Sequence, residues 1–161
     1  MFNVARDKKH CPSQNCKEYQ GNMAPLWILC RDGKLDEVRS ALACGEDVNN
    51  KKSGGNTALM LAVLKKHNSI VKLLLDQPGV KTNEKNNRGY TALHWAALFN
   101  NREGARMLLL HPTMDSANAK NNFGETAVMT AVRGGRKEVL SELVAHRSVS
   151  LDIGNVGEIE R

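Results

Sequence analysis

One nine-residue phrase occurs three times along the chain at nearly constant spacing. Gly55-Asn-Thr57-Ala-Leu-Met-Leu-Ala62-Val returns as Gly89-Tyr-Thr91-Ala-Leu-His-Trp-Ala96-Ala and as Gly124-Glu-Thr126-Ala-Val-Met-Thr-Ala131-Val, with the threonines 34 and 35 residues apart. A fainter copy, Ala24-Pro25-Leu26-Trp27-Ile-Leu-Cys30, precedes them one period earlier and lacks the threonine. A fixed period of this length means that each copy is one supersecondary unit that cannot bury its own apolar face. Stacked neighbours must do so, which restricts the chain to an array.

The second half of each copy repeats as well. Leu35-Asp-Glu-Val38, Ser69-Ile-Val71, Glu103-Gly-Ala-Arg-Met and Glu138-Val-Leu140 open stretches whose apolar residues fall at helical spacing. Asn- and Gly-rich segments such as Asn83-Glu-Lys-Asn-Asn-Arg-Gly89 separate the copies and read as turns. Each unit is therefore expected to run turn, short helix, tight loop, helix. Thr57, Thr91 and Thr126 stand just before the short helix, where a hydroxyl can accept an orphan backbone N–H. Ala62, Ala96 and Ala131 leave room for close helix packing. Gly104, placed inside a second helix, predicts that Gly104→Ala raises stability by removing a helix-propensity penalty of about 1 kcal/mol.

Thr91-Ala-Leu-His94-Trp-Ala96 resembles the Thr-Pro-Leu-His-x-Ala signature of the ankyrin-repeat family, lacking the proline. The resemblance implies an all-α solenoid of four helix-turn-helix units with hairpin tips, over about residues 22–155. The units run at about 22–54, 55–88, 89–123 and 124–155, between an N-terminal arm of residues 1–21 and a tail of residues 156–161. It places His94 where the family's histidine ties helix to hairpin, a position held elsewhere by Met60 and Met129. The family's hairpin aspartate is replaced by Lys52, Asn86 and Asn121, of which Lys52 cannot accept a hydrogen bond. Glu37 and Ser40 at one end, and Glu142 at the other, read as polar caps that close the array. The segment Leu151-Asp-Ile-Gly-Asn-Val-Gly resembles the start of a further hairpin.

No catalytic constellation emerges. His67, His94, His111 and His146 occupy different positions of the repeat and lack a paired nucleophile; Asp36 and Glu37 are adjacent on a helix and point apart. His10, Cys11 and Cys16 fall short of a tetrahedral metal set. The expectation is a non-enzyme without cofactor or metal. The four cysteines, Cys11, Cys16, Cys30 and Cys44, read as reduced thiols, Cys30 as a small buried filler and Cys44 as unpaired. The sequence carries no apolar stretch of membrane-spanning or signal-peptide length, which predicts a monomer of the cytoplasm or nucleus.

The resemblance also implies that protein partners dock on a concave surface lined by hairpin tips and inner-helix ends. Offsets from each threonine place Asn56, Leu64 and Lys65, then Arg88, Tyr90, Leu98 and Phe99, then Phe123, Glu125 and Arg133 on that surface. The chain has seven aromatic residues, so Tyr90, Phe99 and Phe123 on one face make a candidate anchor cluster, with Trp95 assigned to the core between helices. Lys51, Lys52, Lys85, Arg88 and Lys120 give the hairpin tips a basic edge, with Glu84 as the acid among them. The partner so predicted is a protein offering an acidic segment. Nucleic-acid contact along the basic edge and self-association through an array end are the alternatives; no groove-reading motif supports the former.

Overall fold

A computed structural model describes residues 24–149, save 53, 116 and 148. Among the described residues eight helices form four pairs: α1 (Leu26–Asp32) with α2 (Leu35–Ala43), α3 (Ala58–Leu64) with α4 (Asn68–Leu75), α5 (Ala92–Leu98) with α6 (Arg102–Leu110), and α7 (Ala127–Arg133) with α8 (Lys137–Ala145). The short first helices α1, α3, α5 and α7 stack into an inner row, and the second helices stack into an outer row. Between the rows lies one continuous core that includes Leu29, Val38, Leu59, Val71, Leu93, Leu108, Val128 and Leu143. Ala62, Ala96 and Ala131 are fully buried, as close approach of neighbouring inner helices requires.

The threonines cap their helices as expected. Each hydroxyl accepts from the backbone N–H three residues on, at 3.2 Å for Thr57, 3.5 Å for Thr91 and 3.3 Å for Thr126. Nine residues after each threonine position the tight loop passes through the left-handed region, at Gly33, Lys66, Asn100 and Gly135. Two of these are not glycine. Asn100 recovers the cost, because its side chain accepts from the Val139 N–H at 3.2 Å and bonds Glu138. Lys66 is exposed and makes no such contact, so Lys66→Gly is expected to raise the chemical-denaturation midpoint, by about 1 kcal/mol of relieved backbone strain.

One residue further along, a side chain in each of three units reaches the preceding unit. The His67 ring bonds the Arg31 carbonyl at 3.1 Å, Asn101 donates to the Val63 carbonyl at 2.9 Å, and Arg136 to the Leu98 carbonyl at 3.1 Å. These bonds satisfy carbonyls at inner-helix ends that the helices themselves leave open. Hairpins stack by a parallel device: the Asn87 N–H donates to the Gly54 carbonyl and the Asn122 N–H to the Arg88 carbonyl, both at 3.1 Å. Gly89 is needed there, since a Cβ would stand 2.7 Å from the Asn122 nitrogen on a backbone already at φ +76°.

Four expectations are corrected. Gly104 lies in the first turn of α6, and a Cβ would stand 2.5 Å from the Asn101 side-chain nitrogen, so Gly104→Ala has a steric cost that sequence spacing does not show. The fourth unit is not closed by a polar face. Glu142 turns back to Arg102 of unit three at 2.6 Å, while Val132 and Val144, at 40% and 46% exposure, stand where Ala97 and Leu109 are buried by the next unit. Cys44 is disulfide-bonded rather than free, its partner lying outside the described residues; it sits half-buried at the end of α2, where its sulfur is not sealed in the core. Trp95, described below, is only half-buried and packs against the core rather than within it.

Cys30 is the buried filler expected, and burial pushes its thiol up to about 12, so it has no thiolate to react. The arm, the tail with its hairpin-like segment, and the trio His10, Cys11 and Cys16 all lie outside the described residues. No helix among the described residues is long and apolar enough to cross a membrane.

Candidate functional site

The hairpin tips are built by asparagine. Asn86 accepts from the N–H groups of Arg88 and Tyr90 at 3.0 and 2.9 Å, and Asn121 from those of Phe123 and Glu125 at 2.9 and 3.0 Å. Asparagine therefore does here what an aspartate would, by offering a side-chain oxygen to a turn. Lys52 cannot. Among the described residues its hairpin closes through backbone bonds, Lys52 N–H to the Asn56 carbonyl and Gly55 N–H to the Lys52 carbonyl, both at 2.9 Å, while its ammonium lies 5.2 Å from the Trp27 ring centre.

His94 joins two units. Its Nδ1 accepts from the Thr91 N–H at 3.2 Å, which leaves the proton on Nε2, and Nε2–H donates to the Glu125 carbonyl of unit four at 2.9 Å. The ring is 1% exposed, and burial pulls its pKa below the ordinary histidine value, with a smaller push in the same direction from Lys85. The histidine is thus held neutral as a structural tie between helix and next hairpin.

The basic edge is partly spent on holding the hairpins together. Lys51 donates to the Lys85 carbonyl at 3.5 Å and pairs with Glu84 at 2.6 Å, holding that carboxyl below its usual range; Lys85 donates to the Lys120 carbonyl at 2.9 Å. Each lysine reaches for the next, and Lys120 is the last of the series. Lys120 and Arg88 remain exposed, and neither is in an ion pair among the described residues. Arg133 is exposed but bonded to the half-buried Glu125 at 3.1 Å.

The aromatic residues form a different cluster from the one expected. Tyr90 and Phe99 both pack on Trp95, with ring centres 5.4 and 5.8 Å away and planes tilted by 32° and 33°. Tyr90 also meets the His94 ring edge-on at 5.6 Å. Trp95 is half-buried, and its indole N–H is shielded without an acceptor. Phe99, the C-cap of α5, is 41% exposed; Phe123, at 70%, stands alone on its hairpin with no ring contact among the described residues. Trp95 was missed because its helix was read for burial only. Its spacing of four from Phe99 was the available signal, since residues so spaced share a helix face. Leu98 is half-buried beside Phe99, and Lys65 is exposed at the matching helix end of unit two.

Comparison with known proteins agrees with this architecture. The family described as Ankyrin repeats (3 copies) matches residues 9–86 and 26–117. The chain belongs to the ankyrin-repeat family. It is 34% identical over 129 residues to the ankyrin repeat protein FPV031 of fowlpox virus, covering 78% of this chain and 38% of that protein. Rabankyrin-5 of Homo sapiens is 24% identical, with 89% and 12% covered, and the ankyrin repeat protein YahD of Escherichia coli is 26% identical, with 82% and 64% covered. The chain thus spans less than two thirds of each of these relatives. Ankyrin repeats are in general protein–protein interaction modules.

Proposed function

We propose that this ankyrin array is a non-catalytic adaptor that binds a protein partner on the concave face, with the Tyr90, Trp95 and Phe99 stack as anchor. The observation that carries the reading is the stack itself: three contiguous rings, one of them substantially exposed, over a buried indole N–H with no acceptor. Aromatic residues at the centre of a patch dominate binding energy, and one short repeat cannot present the roughly 800 Å² a stable interface buries per partner. Units two and four must therefore contribute through Lys65, Leu64, Phe123 and the Glu125–Arg133 pair. Arg88 and Lys120, exposed cations of the hairpin edge that are in no ion pair among the described residues, favour an acidic segment and act mainly on the rate of encounter.

The test is quantitative capture with wild type and with Phe99→Ala and Tyr90→Ala proteins of unchanged circular dichroism. Truncating either ring is expected to weaken a captured partner by about 2 kcal/mol, roughly 30-fold in Kd, mainly through the off-rate. Lys120→Glu should instead slow association, with the difference vanishing at high salt. Full affinity in both aromatic variants would sink the reading. Exposure of Val132 and Val144 favours one second reading, self-association through the unit-four face, which concentration-dependent mass by sedimentation would reveal.

A further inference from the structure

We infer that the partner segment is extended, seats one large apolar side chain on the unit-three stack, and carries a carboxylate about three residues away on one side of that anchor only, over Lys65. This rests on the proposal that partners dock on this face, and it adds a register and a polarity.

The polarity comes from the order of charges across the repeats. In unit one Arg31 and Asp32 bind each other through two hydrogen bonds, at 2.6 and 3.0 Å. In unit four Arg133 is held by Glu125, which is itself fixed by the Asn121 amide at 3.1 Å. Both ends of the face are therefore electrically satisfied from within. Unit two differs. Lys65 stands exposed at the end of α3, at the same place in its repeat as Phe99 in unit three, and is in no ion pair among the described residues. The nearby acid, Asp32, feels Lys65 across space, but both of its carboxylate oxygens are hydrogen-bonded to Arg31. Lys66, next in sequence, lies within electrostatic reach of Glu138. A carboxylate on the unit-two side of the anchor gains a cation that is in no ion pair among the described residues, whereas one on the unit-four side meets the Glu125 carboxylate and must compete for an occupied arginine.

The register comes from helix packing. Inner helices α3 and α5 are direct neighbours, and packed helices lie about 8–10 Å apart. A segment in the extended polyproline II conformation rises about 3.1 Å per residue with three residues per turn, so an anchor on Phe99 puts the side chain three residues away on the same face, about 9 Å along and over Lys65. Arg88, on the hairpin of the anchor's own unit, attracts any acidic peptide without choosing between the two sides.

The sequence has two tryptophans, so a Trp27→Phe protein reports from Trp95 alone. It would be titrated with tryptophan-free Gly/Ser peptides carrying one leucine and an aspartate three residues before it, three residues after it, on both sides, or on neither. The expected result is a shift of Trp95 emission with one single-acid peptide bound about fivefold tighter than the neutral one, the scale of an exposed ion pair. The other single-acid peptide should gain only the small, side-independent attraction of Arg88, and the doubly acidic one little more than the better single. Lys65→Glu should erase the preference while leaving the neutral peptide unchanged, and Phe99→Ala should weaken all four. Equal gains from both single-acid peptides, or a preference that survives Lys65→Glu, would overturn the one-sided register while the Phe99 dependence upholds the docking face. Indifference of every peptide to Phe99→Ala, or binding without a change in Trp95 emission, would overturn both.

Discussion

Gly104→Ala is expected to destabilise the array by about 1–2 kcal/mol, against the gain that helix propensity alone predicts. The new methyl group would stand 2.5 Å from the Asn101 amide nitrogen and 2.8 Å from its Cγ. Asn101 cannot yield cheaply, because it is buried and three bonds converge on it: its oxygen accepts the Gly104 N–H at 2.9 Å, and its amide donates to the Val63 carbonyl at 2.9 Å and to Asn68 at 3.0 Å. Displacing it strands buried polar groups at about 1–3 kcal/mol each, more than the roughly 1 kcal/mol that alanine contributes over glycine. Urea denaturation of a double-mutant cycle checks the cause. In an Asn101→Ala background the clash is gone, and Gly104→Ala should become neutral or stabilising. A raised midpoint in the wild-type background would mean that Asn101 has room to move.

The second large effect concerns His94. His94→Ala removes the acceptor of the Thr91 N–H and the donor to the Glu125 carbonyl, and opens a void between units three and four. The unpaired groups alone cost about 1–3 kcal/mol. The same residue makes stability depend on pH with a definite sign. Its folded pKa lies below the ordinary 6.5, chiefly through burial, so the unfolded chain binds the proton more readily. The contribution is complete above about pH 6.5 and is lost as pH falls from there toward the depressed folded value, with a slope of at most about 1.4 kcal/mol per pH unit. Thermal unfolding between pH 7.5 and 5 should show wild type losing stability that His94→Ala has already lost, so the two curves converge on acidification. Parallel curves would mean that His94 is not held neutral in the fold.

Unit two carries methionine at the corresponding place, fully buried, and its hairpin makes no use of a side-chain bond from that position. Polar bracing nevertheless crosses both boundaries of unit three. Asn101, His111, Thr82 and Asn83 tie units two and three, and the histidine tie, the Arg102–Glu142 pair and the Asn100 contacts with the start of α8 tie units three and four. The proposed anchor on unit three sits between these two braced boundaries.

The order of turn, short helix and helix was legible because periodicity and capping are local. A threonine before an apolar run has the same use in every unit, and three hydroxyls accept the N–H that the spacing assigned to them. The stacking of units followed from each being too small to bury its own face. Lateral relations were not legible. Lys51 and Lys85 read as a basic edge, yet each reaches a carbonyl one hairpin away, which depends on how far neighbouring tips are displaced. Glu142 reads as a solvent-facing cap until Arg102 is seen beside it.

By itself the sequence determined the order of elements within a repeat and the residues that cap and fill the four described helix pairs, because these depend on spacing within one unit. The tertiary structure decided which positions face outward and what they do: that Trp95 lies half-buried between Tyr90 and Phe99 while Phe123 stands apart, that Gly104 is required by Asn101, and that Arg133 is in an ion pair where Lys65 is in none among the described residues. These partners lie within about three to eight residues of one another in the chain, but the side-chain positions are fixed from outside, as Asn101 is by Val63 and Asn68 of the preceding unit. That depends on how whole helices pack, not on any local pattern.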